Sequence, residues 1–133
     1  SIYKEEVKKF QELMEQARSE AITALREEFV DLVTNIADKL QNHDDGRPRR
    51  LRDAAVENLK QFLDNFSSRN IFEDAQLAEL VEQCREIITN TNANAIRGNT
   101  QVREEVHLQM EKILAGIDAS LEDLPRRRLR FAA

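Results

Sequence analysis

The chain has 133 residues, 41% hydrophobic and 34% charged, with a net charge of −5. That length supports one domain with a modest core, and the acidic balance argues against the chain as a whole binding polyanions. A single Cys excludes an internal disulfide and fits a reducing, cytoplasmic compartment. No apolar run approaches the roughly 18 residues that span a bilayer, so no membrane partner is expected.

Helix formers (Ala, Leu, Glu, Gln, Arg) dominate, with only three Gly and two Pro, and alternating β-branched runs are missing; the fold class is all-α. The first predicted helix covers Ile2–Leu40 without a Gly or Pro, and at about 1.5 Å per residue it spans roughly 60 Å. Its apolar stripe is Val7, Phe10, Met14, Ala17, Ala21, Leu25, Phe29, Leu32, Ile36 and Leu40, in steps of 3, 4, 3, 4, 4, 4, 3, 4 and 4. A 3–4 alternation makes a left-handed coiled-coil seam, and a run of fours resets it, so the seam drifts near Ala17–Leu25. The other helices are roughly half as long, so the first must outreach them.

The stretch 41–50 ends that helix at the turn signal Asp45-Gly46, and Pro48 suits the first turn of the next. A second helix is predicted over Pro48–Phe66, with Leu51, Ala55, Leu59, Phe62 and Phe66 inward. Residues 67–70 break it, and Asn70 with Glu73 reads as a capping box. A third helix covers Phe72–Thr89, with Leu77, Leu80, Val81, Cys84, Ile87 and Ile88 inward. An Asn-rich connection, 89–100, follows, pinned to the core by Ile96. The fourth helix is Thr100–Leu121, built on Val102, Val106, Met110, Ile113, Ile117 and Leu121. Short connections favour an antiparallel four-helix bundle over residues 1–124, with 1–21 projecting as a coiled-coil-like extension and 125–133 as a basic tail. Ser1, in place of Met, gives the chain a processed, tagged or excised look.

Chemistry-bearing patterns are scarce. Glu104 and His107 form Glu-x-x-His, half of a di-metal carboxylate signature that needs a second such motif and two more inward Glu. The other His, His43, falls in a turn, and His107 flanks its apolar stripe, so it reads as a partly exposed neighbour of the core and no metal is expected. Cys84 sits mid-stripe as a small core residue rather than a nucleophile. Phosphate loops, zinc spacings and nucleophile elbows do not occur. Met14, Phe29 and Phe62 read as core or interface packing. The expectation is a non-enzyme without cofactor.

Two arginine clusters stand out: Arg47, Arg49, Arg50 and Arg52, and Arg126, Arg127, Arg128 and Arg130. Guanidinium forks suit carboxylates and phosphates, so these could solubilise helix ends, contact an acidic protein or bind nucleic acid. No aromatics interleave except Phe131, which leaves stacking on single strands unsupported.

The runs 49–63 (RRLRDAAVENLKQFL) and 69–77 (RNIFEDAQL) resemble the C-terminal part of a bacterial and phage domain family of unknown function. Its members tend to be encoded beside MoxR-type AAA+ ATPases and von Willebrand factor A-domain proteins. The resemblance covers roughly residues 20–120 and transfers no active-site residue. Family members usually carry a further N-terminal region. The resemblance implies a helical accessory subunit working with an ATPase and an A-domain partner.

Together these readings predict a helical interaction module. It would engage a protein partner or a second copy of itself through Val7, Phe10, Met14, Ala17 and Ala21. The alternative is nucleic-acid binding through the arginines.

Overall fold

The structure, a computed structural model, describes residues 1–41 and 50–122, with side chains through residue 119. The fold is all-α. Among the described residues five helices occur in chain order: α1 (Ile2–Leu40), α2 (Asp53–Arg69), α3 (Ala75–Thr89), α4 (Ala93–Gly98) and α5 (Thr100–Glu122). Among the described residues there is no strand, and no helix is long and apolar enough to cross a membrane.

One core holds these helices together. α1 contributes Phe29, Val33, Ile36 and Leu40 from its second half. α2 adds Leu59, Phe62 and Phe66, and the rings of Phe29 and Phe62 stack with centroids 5.4 Å apart. α3 supplies Leu77, Val81 and Cys84, and α5 supplies Val106, Met110, Ile113 and Ile117. α1 touches α2 and α5, α2 touches α3, α3 touches α5, and α4 lies against α5. Where α3 and α5 pack, Gly116 lies against Leu80, whose Cδ2 would be 2.9 Å from an added Cβ.

The first helix runs over the expected span, capped at its start by Ser1, whose Oγ accepts from the Lys4 amide. Three other boundaries differ from expectation. α2 begins at Asp53 rather than Pro48, because Leu51 is drawn into the core and Arg52 after it is extended. The Leu51 carbonyl accepts from Nη1 of Arg97 at 3.0 Å, so the turn is satisfied without a helix. α2 also runs on to Arg69, through the two serines expected to stop it. Ser68 fits inside a helix because its hydroxyl donates to the Asn65 carbonyl.

The Asn70–Glu73 capping box does not form. Asp74 caps α3 by accepting from the Leu77 amide, while Asn70 Oδ1 accepts from the Asp74 amide at 2.9 Å. Glu73 takes a positive φ of 52° to make this corner, a conformation that disfavours side chains. The Asn-rich connection contains the short α4, capped by Asn92, whose Oδ1 accepts from the Ala95 amide at 2.8 Å. Ile96 is buried there, as its apolar character predicts.

Candidate functional site

The N-terminal half of α1 stands apart from the core. Every residue from Ser1 to Met14 is exposed, and burial of apolar residues begins only at Ile22 and Leu25. Within this span Phe10 is 64% and Met14 49% exposed, and Tyr3, Val7 and Leu13 are open to solvent as well. Ala17 and Ala21 are also exposed, although Glu15, Gln16 and Ser19 on the adjoining side are half-buried. All five stripe residues singled out from sequence thus lie on one uncovered face. With Ile2, six large apolar residues are exposed on this one helix, which exceeds the scattered exposure normal for a surface.

Ile2, Tyr3 and Leu13 belong to the same surface and were not picked out from the sequence. Tyr3 was legible: it precedes Val7 by four residues, as Phe10 precedes Met14. Leu13 flanks the stripe and shows only when the helix is seen without neighbours.

The base of this projecting segment is fixed by a buried ion pair. Arg26 lies one turn before Phe29 on the core face, and its Nε and Nη2 donate to Asp74 Oδ2 and Oδ1 at 2.6 and 2.7 Å. Both side chains are only 4% exposed. A second buried arginine, Arg103, donates through Nε to the Leu40 carbonyl at 3.1 Å and through Nη2 to the Lys39 carbonyl at 2.6 Å. It satisfies the terminal carbonyls of α1, which have no partner within the helix. Burial lowers the Arg103 pKa, and the guanidinium still stays charged. Sequence reasoning passed over both arginines. The available signal was their spacing: Arg26, Phe29, Val33, Ile36 and Leu40, and Arg103, Val106, Met110, Ile113 and Ile117, each follow the 3–4 alternation of a core stripe.

Of the first arginine cluster, Arg50 and Arg52 are described and exposed, and they line an open depression of about 510 Å3 with Asp53 and Arg97. Arg97 is committed to Asp53 Oδ1 at 2.8 Å, to the Leu51 carbonyl and to Asn94. Arg47, Arg49, Arg126, Arg127, Arg128 and Arg130 lie outside the described residues. The structure therefore brings together only part of one cluster.

The remaining candidates lie on α3 and α5. His107 is half-buried, its Nδ1 3.2 Å from the Ala37 carbonyl and its Nε2 4.0 Å from Glu111 Oε1, while Glu104 is exposed. No group of three or more metal-binding side chains occurs among the described residues. Cys84 is fully enclosed, and burial pushes its thiol up to about 12, against a small opposing effect of Arg85; it is a protonated core group and a poor nucleophile. A shallow groove of about 550 Å3 between α3, α4 and α5 has an apolar floor of Ile87, Val102 and Val106 under amides and charges. The Thr91 hydroxyl at its edge has no hydrogen-bond partner among the described residues.

Comparison of the chain with protein-family models, with curated proteins and with solved structures finds no match in any of the three.

Proposed function

We propose that this chain is a non-enzymatic helical interaction module whose contact element is the N-terminal half of α1. The single observation that carries the reading is the uncovered apolar face from Tyr3 to Ala21, set on a helix anchored at its base by Arg26–Asp74. Leaving such a face in water forgoes about 25 cal/mol for each Å2 of apolar surface that a partner would cover. The body that carries it is read as an antiparallel four-helix bundle of α1, α2, α3 and α5, in which the cyclic order of helix contacts supports the arrangement. The partners that the resemblance implies, an AAA+ ATPase and an A-domain protein in a cytoplasmic setting, belong to this proposal.

The test is purification of the native assembly from cells with the wild-type chain and with Phe10→Asp/Met14→Asp. Both positions are exposed, so the variant folds. The wild type is expected in a particle larger than the chain, and the variant as a folded chain without partners. Retention of the variant in the same particle contradicts the reading.

A second reading, nucleic-acid binding, draws on the gathering of Arg97 with Arg50 and Arg52 beside one depression. Phosphate contacts predict binding that falls steeply with salt. Absence of binding to duplex and single-stranded DNA at low salt removes it.

A further inference from the structure

We infer that Met14 is an oxidation switch in the contact face of α1, its thioether converted to the sulfoxide by a hydroperoxide and restored by a dithiol reductant; the inference rests on α1 being the contact element. The chain holds three sulfur atoms, in Met14, Cys84 and Met110. Two of them are shut inside the body. Met110 is wholly enclosed on α5, and Cys84 is enclosed on α3, where burial keeps its thiol protonated and slow toward peroxide. Met14 stands open to solvent, at 49% exposure. The chain has no Trp, so an oxidant that meets the folded protein finds one readily oxidised side chain. Susceptibility of sulfur follows its exposure, and here exposure separates the two methionines completely.

Met14 also sits where a change of polarity counts. Phe10 precedes it by four residues and Ala17 follows by three, so both are its neighbours on the helix surface. Val7 and Ala21 extend the same row by seven residues to either side. Unoxidised, the thioether is a flexible apolar group that adapts to whatever packs on it. In the oxidation, the sulfur lone pair attacks the terminal oxygen of the hydroperoxide. An S–O bond forms, the O–O bond breaks, and the departing oxygen takes the proton and leaves as water or an alcohol. The sulfur gives up two electrons and the peroxide takes them. The product is a polar, chiral sulfoxide, which sets a hydrogen-bond acceptor in the middle of the apolar row. An apolar surface laid over that oxygen would leave it without a hydrogen bond, which disfavours the contact. Reduction by two thiols forms their disulfide, restores the thioether and releases the oxygen as water. Residues 1–14 are exposed throughout, so the change falls on the contact and leaves the fold of the body alone.

The test begins with the purified full chain treated with hydrogen peroxide, then denatured, digested and weighed by mass spectrometry. Met14 is expected to gain one oxygen many-fold faster than Met110, with denaturant unfolding of the chain unchanged. Comparable rates at the two methionines, or a loss of stability that tracks the Met14 oxygen, overturn the proposal. The singly oxidised chain is expected to bind a phenyl matrix several-fold more weakly, and to recover with methionine sulfoxide reductases of both stereospecificities and dithiothreitol. Met14→Leu treated alike should keep its retention. Unchanged retention of the oxidised wild type, or an equal loss in Met14→Leu, overturns the switch. Added to cell extract, the oxidised chain is expected to stay out of the particle that the untreated chain and peroxide-treated Met14→Leu enter. Entry of the oxidised chain, with Phe10→Asp/Met14→Asp kept out, removes the switch and leaves the contact element standing. Entry of Phe10→Asp/Met14→Asp, or failure of the untreated chain to enter any particle, removes the contact element and the switch with it.

Discussion

Arg26 occupies a position that the core stripe of α1 would otherwise give to a leucine, and its bidentate hold on Asp74 makes that tolerable. Two buried charges cost several kcal/mol to desolvate, and their attraction offsets this only while both are present. Arg26→Met is therefore expected to lower stability by about 3–5 kcal/mol, because it strands the Asp74 carboxylate. Adding Asp74→Ser, which keeps a cap on α3 while removing the charge, should recover a large part of that loss. Denaturant unfolding of the two single variants and the double one checks it; additive losses would contradict the pairing. Cys84 makes a pH prediction. Its native thiol titrates only near 12, while an unfolded thiol ionises near about 8.5. The folded pKa is raised, so its contribution is fully present below about 8.5 and declines as pH rises through the interval up to 12, by up to about 1.4 kcal/mol per pH unit. Cys84→Ala should lose that alkaline decline, and a thiol reagent should label the native wild type only at its unfolding rate.

At the scale of elements, α1 divides into a half that the core uses and a half that it does not. Deleting residues 1–14 should leave the unfolding free energy of the dilute chain within about 0.5 kcal/mol, since these side chains are exposed throughout. A larger loss in thermal or denaturant unfolding would mean that the segment supports the body. This division also explains what sequence could say. The span of α1 is legible because nothing in it breaks a helix, and its exposure is legible because no other helix matches its length. The start of α2 is not, because the non-helical backbone at Leu51 is met by Arg97, 46 residues away. The start of α3 is not, because Asn70 and Glu73 imitate a cap that Asp74 takes over in order to meet Arg26, 48 residues earlier. Local pattern reports local partners; these boundaries are decided by distant arginines. The candidate surface was legible in its seam residues and incomplete at Tyr3 and Leu13, whose importance depends on what fails to cover them.

For the whole molecule, the body serves as a mount. Arg26 ties α1 to the α2–α3 corner and Arg103 ties its end to α5, two fixings about 21 Å apart on one rod. A helix held this way keeps its free half in a fixed direction, which reduces the ordering cost of pairing. Residues 2–14, exposed throughout, rely on their own helical turns and fray when nothing pairs with them. Amide hydrogen exchange across Ile2–Ala21, compared between the native assembly purified from cells and the Phe10→Asp/Met14→Asp variant, tests the central claim of a contact element most directly. Protection there should be present in the assembly and vanish in the variant, while α2 to α5 exchange alike in both. Fast exchange in Ile2–Ala21 that is the same in both would contradict it.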